Sequence, residues 1–226
     1  MQRFDIINWL IEKYGYKSYL EIGVAEKGCW YEIECNRKVG IEPDVDLMLS
    51  MQLCDGPHDV PGDVYMCTSD HYFAKLCKEK FDIIFIDGEH LEAQVMRDIH
   101  NSLKHLSEGG TIVVHDCNPP MANCAAKEPR VFVCHEDGTE HSVWNGTTWK
   151  AWVRTRLFRK DLEVRCVDAD WGCGIIRRGD WIPFDGQIYS EDATRQHLTY
   201  PIMALERENY LNLITVQQFK EIYNGG

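Results

Sequence analysis

No stretch of this chain is apolar for long enough to cross a bilayer: no run approaches the roughly 18 residues that a membrane span needs. A C-x-x-C pair is also missing. The ten cysteines are scattered along the chain, a pattern that argues against a disulfide scaffold and for free, mostly buried thiols. Positive charge is scarce, with 24 Lys+Arg against 36 Asp+Glu and a net charge of -12. A surplus of that sign repels phosphate backbones and anionic lipid, which disfavours nucleic-acid and membrane partners. The opening residues Met1-Gln2-Arg3-Phe4-Asp5 bring an acid at once and no leader-like apolar stretch, so the expected compartment is the cytoplasm. Internal repeats and low-complexity segments are absent. A length of 226 residues allows one large domain, or one domain with an appendage, and is enough to bury a conventional core.

Phe4, Ile7, Leu10, Ile11 and Tyr14 recur at helical spacing and Gly15 follows them, which predicts an amphipathic helix over 4–14. Short β-prone runs stand at 18–24 and 38–41, with a weaker one at 63–67. Ser69 is placed to cap a helix over 70–79. The run 81–86 is the clearest buried strand, apolar apart from Asp82. Leu91, Val95, Ile99, Leu103 and Leu106 then share a helical face that Gly109-Gly110 closes, and 111–114 is the next buried strand. Strand and helix alternating with short connections predict an α/β, doubly wound domain with a mostly parallel sheet and helices on both faces. After residue 116 comes a loop rich in Pro, Asn and Cys, then a helix near 147–160. Two strands at 162–167 and 174–177 follow, joined too tightly for a crossover helix and therefore antiparallel. The expected organisation is one domain over 1–178 and a C-terminal appendage over 179–226 packed on it.

Ligands of open parallel sheets bind at the carboxyl ends of the strands, near the point where strand order reverses. Here those ends carry acids. Glu21 and Gly23 close the first strand, Glu42 the second, Asp87 the central run and Asp116 the run after the long helix, while Asp70 lies just past the weak third strand. A lone carboxylate at such a place is usually a helix cap or a solvated loop acid; the shared position of these points to a ligand. Glu42 follows Gly23 by about 20 residues, the separation at which an acid reaches the hydroxyls of a bound ribose. The G-x-G-x-x-G that a pyrophosphate requires is missing, replaced by Gly23-Val24-Ala25-Glu26-Lys27-Gly28. Carboxylates suit a cofactor that presents positive charge, such as an amino group beside a sulfonium, so S-adenosylmethionine fits these residues better than NAD.

The runs Tyr19-Leu-Glu-Ile-Gly-Val24, Val39-Gly-Ile-Glu-Pro-Asp44, Ser69-Asp-His-Tyr-Phe73, Phe81-Asp-Ile-Ile-Phe-Ile-Asp-Gly-Glu-His90, Gly109-Gly-Thr-Ile-Val-Val-His-Asp-Cys-Asn-Pro-Pro120 and Trp144-Asn-Gly-Thr-Thr-Trp-Lys150 resemble the class I S-adenosylmethionine-dependent methyltransferases. The nearest group is that of small O-methyltransferase-like proteins of polysaccharide and natural-product pathways. The resemblance runs from residue 19 to about 178, and its most specific part is F-I-D-G-x-H followed by V-H-D. One departure is Lys27, which stands where the family has glycine, the glycine coming at Gly28. The resemblance implies a Rossmann-like, mostly parallel seven-stranded sheet with an antiparallel final strand, and S-adenosyl-L-methionine as cofactor. By position it puts Glu21 and Gly23 at the methionine moiety, Glu42 at the ribose, and Ser69 with Asp70 near the adenine. Asp87, Glu89 and His90 fall at the mouth beside the methyl group. In metal-dependent relatives, acids at the positions of Asp87 and Asp116 hold a divalent ion such as Mg2+. The usual neighbour of the second acid is another acid or an amide rather than His115, so metal dependence stays open at this point. His90 or Glu89 is the candidate base, with His115 in reserve.

Three further motifs invite other readings. Asn118-Pro119-Pro120 is similar to the N-P-P-aromatic signature of amino-methylating nucleic-acid enzymes, but it follows the fifth strand instead of the fourth and is succeeded by Met121. Cys117, Cys124, Cys134, His135 and His141 match no common zinc spacing. Lys150, Arg154, Arg156, Arg159 and Lys160 read as the solvated face of a helix whose buried side is Trp149, Trp152, Val153 and Leu157. The expected function is that of a cytoplasmic methyltransferase acting on a hydroxyl of a small molecule or glycan precursor, with a homodimer left open. The alternatives are an NAD-dependent oxidoreductase on a related fold, and a non-catalytic binding module whose cofactor site has degenerated.

Overall fold

The computed structural model describes residues 1–24, 29–44, 46, 62–129, 132–133, 140–141 and 143–225. Helix α1 (Arg3–Tyr14) starts on a capping box between Gln2 and Asp5, buries Ile6, Ile7, Leu10 and Ile11, and stops at Gly15 in the left-handed conformation. Strands β1 (Ser18–Ile22), β2 (Arg37–Ile41) and β3 (Asp63–Tyr65) follow. Next come the short helix α2 (Ser69–His71), which runs into a π-helical turn over Tyr72–Leu76, and then β4 (Phe81–Ile86). Thr68 is the cap of α2, its hydroxyl accepting from the His71 N–H, which leaves Ser69 free for a different contact. Helix α3 (Glu92–His105) leads into β5 (Leu106–Val114).

Gly109 and Gly110 do not close α3, contrary to the sequence expectation. The helix ends at His105, and the two glycines lie within β5, where Gly109 takes a φ of +72°. The pairing of β5 with β4 slips there, Phe81 facing Leu106 while Ile83 faces Thr111. A positive φ inside a strand is the mark of a bulge, and glycine is the residue that permits it.

A two-stranded ribbon, β6 (Phe132–Val133) with β7 (Glu140–His141), then precedes α4 (Thr148–Phe158). Strands β8 (Leu162–Val167) and β9 (Cys173–Arg178) form the expected antiparallel pair. The C-terminal segment carries α5 (Glu191–His197), α6 (Tyr200–Leu205), α7 (Arg207–Leu211), β10 (Leu213–Ile214) and α8 (Val216–Ile222). The main sheet has the order β10-β8-β9-β5-β4-β1-β2-β3, in which β9 alone runs antiparallel to its neighbours. Eight strands rather than seven are joined, because two residues of the C-terminal segment add β10 alongside β8. Strand order reverses at β1, which lies between β2 and β4, so the ligand crevice belongs at the carboxyl ends of these strands.

Alternation along β4 feeds two cores. Ile84 and Ile86 face the layer that includes Trp149, Trp152 and Leu103, while Ile83 and Phe85 face α1, Phe219 and Tyr223. The basic stretch on α4 is less solvated than its sequence suggests. Arg156 is almost fully buried and donates to the carbonyls of Ile182 and Pro183, and Arg154 pairs with both Glu92 and Glu191. These contacts tie the helix to the segment after residue 178.

Phe219, with no exposed surface, sits in the same core as Ile6 and Leu10. Phe219→Ala is expected to cost about 3 to 5 kcal/mol of unfolding free energy, as core aromatic truncations do. Urea denaturation measures it, and a loss below about 1 kcal/mol would show that α8 only rests on the surface.

Candidate functional site

The carboxyl ends of β1, β2 and β4 enclose a cleft of about 450 Å3, lined by Gly23, Glu42, Ser69, Asp87, Glu89 and Asp98 among others. Gly23 makes it possible. Its φ is +88°, and a Cβ there would lie 2.3 Å from the Asp87 carbonyl oxygen, so only glycine lets the end of β1 pass this close to the end of β4. Glu42 is buried at the end of β2, and its Oε1 accepts the Asp44 N–H at 2.9 Å.

Beside the cleft lies a cluster of three aspartates, two histidines and one arginine. His90 Nε2 donates to Asp87 Oδ1 at 3.1 Å, and its Nδ1 lies 3.2 Å from Asp116 Oδ2 and 3.3 Å from the Trp144 carbonyl. His115 Nδ1 is 3.1 Å from the same Asp87 oxygen and 3.5 Å from Asp116 Oδ1, with Nε2 3.7 Å from Asp170 Oδ2. Arg3 donates to Asp170 from its backbone N–H at 2.8 Å and from Nη1 at 3.1 Å, and its Nε stands 3.7 Å from Asp87 Oδ2. Both nitrogens of His90 thus face acids, the arrangement that an imidazolium satisfies best, while His115 Nε2 lies between Asp170 and Arg3, whose Nη1 is 3.3 Å away.

The charges follow from this packing. Burial pushes the Asp87 carboxyl up, but the charge and hydrogen bonds of His115 and His90 outweigh it and hold Asp87 far below the usual carboxylate range. Burial pulls the His90 imidazole down, yet its hydrogen bond to Asp87 and the charges of Asp87 and Asp116 leave it raised. The same contest raises His115 further, through Asp87, Asp116 and Asp170. Asp170 is brought down to about 2 against its burial, by His115 and the Arg3 backbone N–H.

Three members of this cluster are held in a backbone conformation that L-residues seldom adopt: φ is +57° at His90, +61° at Asp116 and +46° at Asp170. Such residues cost roughly 1 to 3 kcal/mol each and persist where their surroundings over-determine them. For His90 the surroundings are the loop before α4. Thr147 N–H donates to the His90 carbonyl at 2.8 Å, and the Thr147 hydroxyl accepts the first free N–H of α3, that of Glu92, at 2.8 Å. Asn145 Nδ2 donates to Asp116 Oδ1 at 2.5 Å.

Of the residues singled out in the sequence, Gly23, Glu42, Ser69, Asp87 and Glu89 line the cleft. His90, His115 and Asp116 meet around Asp87. Glu21 faces elsewhere: it is fully buried on the Tyr19 side of β1, accepting the Tyr19 hydroxyl at 2.7 Å beside Cys29, and burial pushes it up to about 8. Asp70 is exposed on α2 and pairs with Arg97 at 3.1 Å. Ala25, Glu26, Lys27 and Gly28, where the glycine is displaced, fall outside the described residues, as do Cys134 and His135. The eight described cysteines are free, Cys117 and Cys124 among them. Sequence reasoning missed Arg3, Asp98, Asn145 and Asp170. The Asn145-Gly146 dipeptide, a turn signal, was the available pointer to the loop before α4, and nothing local marks Arg3.

His90→Asn tests the charge balance, since asparagine tolerates the left-handed backbone. A histidine raised by folding lends stability that is fully present below about pH 6.5 and is lost as pH rises through the folded value. The stability gap between wild type and variant is therefore expected to be widest below about pH 6.5 and to shrink as pH rises above that in urea melts. A gap that widens with pH would mean that His90 is held neutral.

Among the described residues no helix is long and apolar enough to cross a membrane. No curated protein sequence matches the chain significantly. Residues 48–117 match the sequence model of a family described as a methyltransferase domain. Among solved structures, the chain is similar to the O-methyltransferase TomG from Streptomyces achromogenes, involved in tomaymycin synthesis and solved in complex with SAM. The identity is 14%, with 78% of this chain and 79% of that one covered and a TM-score of 0.55. It is likewise similar to the SAH-bound Podospora anserina methyltransferase PaMTH1, at 18% identity, 76% and 77% coverage and a TM-score of 0.54. The chain therefore shares the fold of these methyltransferases, and its residues 48–117 match the pattern of a methyltransferase domain.

Proposed function

We propose that this protein is an S-adenosylmethionine-dependent methyltransferase that methylates a hydroxyl of a small molecule or glycan precursor. The observation that carries the reading is the double membership of Asp87, which belongs both to the cleft wall and to the acid–imidazole cluster. A cofactor lying across the ends of β1, β2 and β4 then has its reactive end beside groups able to take a proton. Glu42 suits the ribose hydroxyls, and the ionised Asp87 suits the positive end of the cofactor. SAM and SAH in the two similar structures support the same cofactor.

In the reaction the acceptor oxygen bonds to the methyl carbon as the carbon–sulfur bond breaks, the electron pair passing to sulfur. The acceptor proton goes to a base. Most of the acceleration comes from alignment, which demands fixed side chains, and the left-handed backbones of His90 and Asp116 with their anchors at Thr147 and Asn145 supply them. His90, partly exposed and tilted at 37° to the Trp144 ring with centroids 5.4 Å apart, is the group placed to accept the proton once its own has left. Removal of a hydroxyl proton is the step that needs such a cluster, and this favours an oxygen acceptor.

The donor set also fits a divalent cation. Ligand atoms of Asp87, His90 and Asp116 lie within 4.8 Å of one another, and the Oδ1 of Asn145, whose amide nitrogen holds Asp116, is buried without a partner. An imidazole among the carboxylates suits Mn2+ or Fe2+ as well as the harder Mg2+. When bound there, an ion supplies Lewis-acid stabilisation of the acceptor oxygen. Arg3 and Asp170 would then keep His115 oriented.

Calorimetric titration with S-adenosylmethionine, S-adenosylhomocysteine and NAD tests the reading. Binding of the first two and not of NAD is expected, and absence of heat with both would overturn it. Glu42→Gln keeps an acceptor for the Asp44 N–H while removing the charge, and is expected to weaken S-adenosylhomocysteine roughly tenfold. An unchanged Kd would return Glu42 to the role of a strand-end residue. Mn2+ titration with calorimetry checks the ion: wild type is expected to bind and Asp116→Asn to lose most of the affinity, whereas no binding by wild type leaves His90 as the base. In that case His90→Ala should lower turnover by roughly 10² to 10⁴.

A further inference from the structure

His115 belongs to a second constellation besides the one around Asp87. Donor atoms of His115, Asp170 and Cys173 lie within 4.8 Å of one another. The residue after β5, the turn between β8 and β9 and the first residue of β9 bring them together. All three side chains are shut away from water: those of His115 and Asp170 are 5% exposed, and Cys173 has no exposed surface. The Cys173 thiol finds no hydrogen-bond acceptor among the described residues. Its sulfur nonetheless stands beside an imidazole nitrogen and a carboxylate oxygen, where a thiol kept only for packing would be expected among apolar atoms.

Two further observations point to a metal ion. His115 is anchored through Nδ1, 3.1 Å from Asp87 Oδ1, and presents Nε2 to Asp170 Oδ2 at 3.7 Å. A carboxylate on one imidazole nitrogen and a free approach to the other is how proteins hold a histidine ligand. The 3.7 Å gap is near the roughly 3.4 Å between two tetrahedral ligands each about 2.0 to 2.1 Å from one Zn2+. The second observation is that a cation already stands there. Arg3 Nη1 is 3.3 Å from His115 Nε2 and 3.1 Å from Asp170 Oδ2, so the guanidinium fills the place between the two donors. Its side chain is 26% exposed, the one member of this group that reaches water, and the Arg3 backbone N–H holds Asp170 independently of it. Thiolate and imidazole together select zinc over Mg2+ or Mn2+. We propose that His115, Asp170 and Cys173 form a binding site for a thiophilic divalent cation of the zinc class, entered by displacement of the Arg3 guanidinium and completed by water. On binding, the sulfur–metal bond forms as the thiol proton leaves to solvent, and any proton on His115 Nε2 leaves with it. The Asp87, His90 and Asp116 set is separate, since it offers no sulfur.

Co2+ is the probe, because a sulfur–cobalt bond gives a near-ultraviolet charge-transfer band that oxygen and nitrogen ligands do not. Wild type titrated with Co2+ in a phosphine reductant is expected to develop the band, and Cys173→Ser to lose it, with thermal melting showing that the variant is folded. Arg3→Ala removes the competing cation and is expected to bring the band on at roughly tenfold lower Co2+, the equivalent of one charge-assisted contact that no longer has to be broken. Absence of the band in wild type overturns the inference. So does a band that persists in folded Cys173→Ser, since it then comes from another of the ten cysteines. Should Cys173→Ser not fold, Arg3→Ala decides, and an unchanged or weaker Co2+ response overturns the inference. Binding of S-adenosylhomocysteine does not involve this thiol, so each of these outcomes leaves the methyltransferase reading as it stands.

Discussion

A negative charge buried at the end of a central strand has to be met by positive charge close by, and the architecture around Asp87 is organised by that requirement. The carboxylate lies at the end of β4, where water is scarce and an unpaired ion would be costly. Two imidazoles share one of its oxygens and Arg3 approaches the other. Each imidazole is in turn shared with a further aspartate, so the charges alternate in a closed network instead of forming isolated pairs. The result is a rigid polar floor next to a cleft that is otherwise largely apolar. Rigidity of this kind is what the proposed methyl transfer would draw on, because misplacement by an ångström costs rate even when every group is present.

Backbone strain and electrostatics support each other here. The left-handed conformations of His90, Asp116 and Asp170 aim the side chains at a common point, and the hydrogen bonds they make once aimed hold the backbone there. Gly146 belongs to the same economy of space: with φ at +61°, a Cβ on it would stand 2.2 Å from the His90 carbonyl oxygen. The loop before α4 can therefore close over His90 only with glycine at this place.

The parallel half of the sheet was legible because its strands are buried on both faces, which writes near-continuous apolar runs such as Phe81–Ile86 into the sequence. Two-residue β10 and the bulge in β5 were not, since a pair of residues carries no periodicity and Gly109-Gly110 is as good a helix stop as a strand bulge. The strand-end rule located Asp87, Asp116 and Glu42. It misplaced Glu21, whose own alternation with Tyr19 puts it on the opposite face from Leu20 and Ile22. Arg3, Asp98 and Asp170 enter the site through contacts between distant parts of the chain, and no local pattern announces such partners. Asp98 in particular looks like one more polar residue on an amphipathic helix until Ser69 is seen to bond to it.

The link from Arg3 to Asp170 spans 167 positions of sequence. Strands β1 to β5 all precede Asp170 in sequence, so the residues that line the cleft are made before the acid that completes the floor. Asp170 supplies the acid that His115 and Arg3 share, and it arrives with the turn between β8 and β9. Contacts so far apart in sequence close late and dominate the slow part of folding. The cluster around Asp87 is thus incomplete until the turn between β8 and β9 is in place, although the cleft beside it is built from much earlier residues.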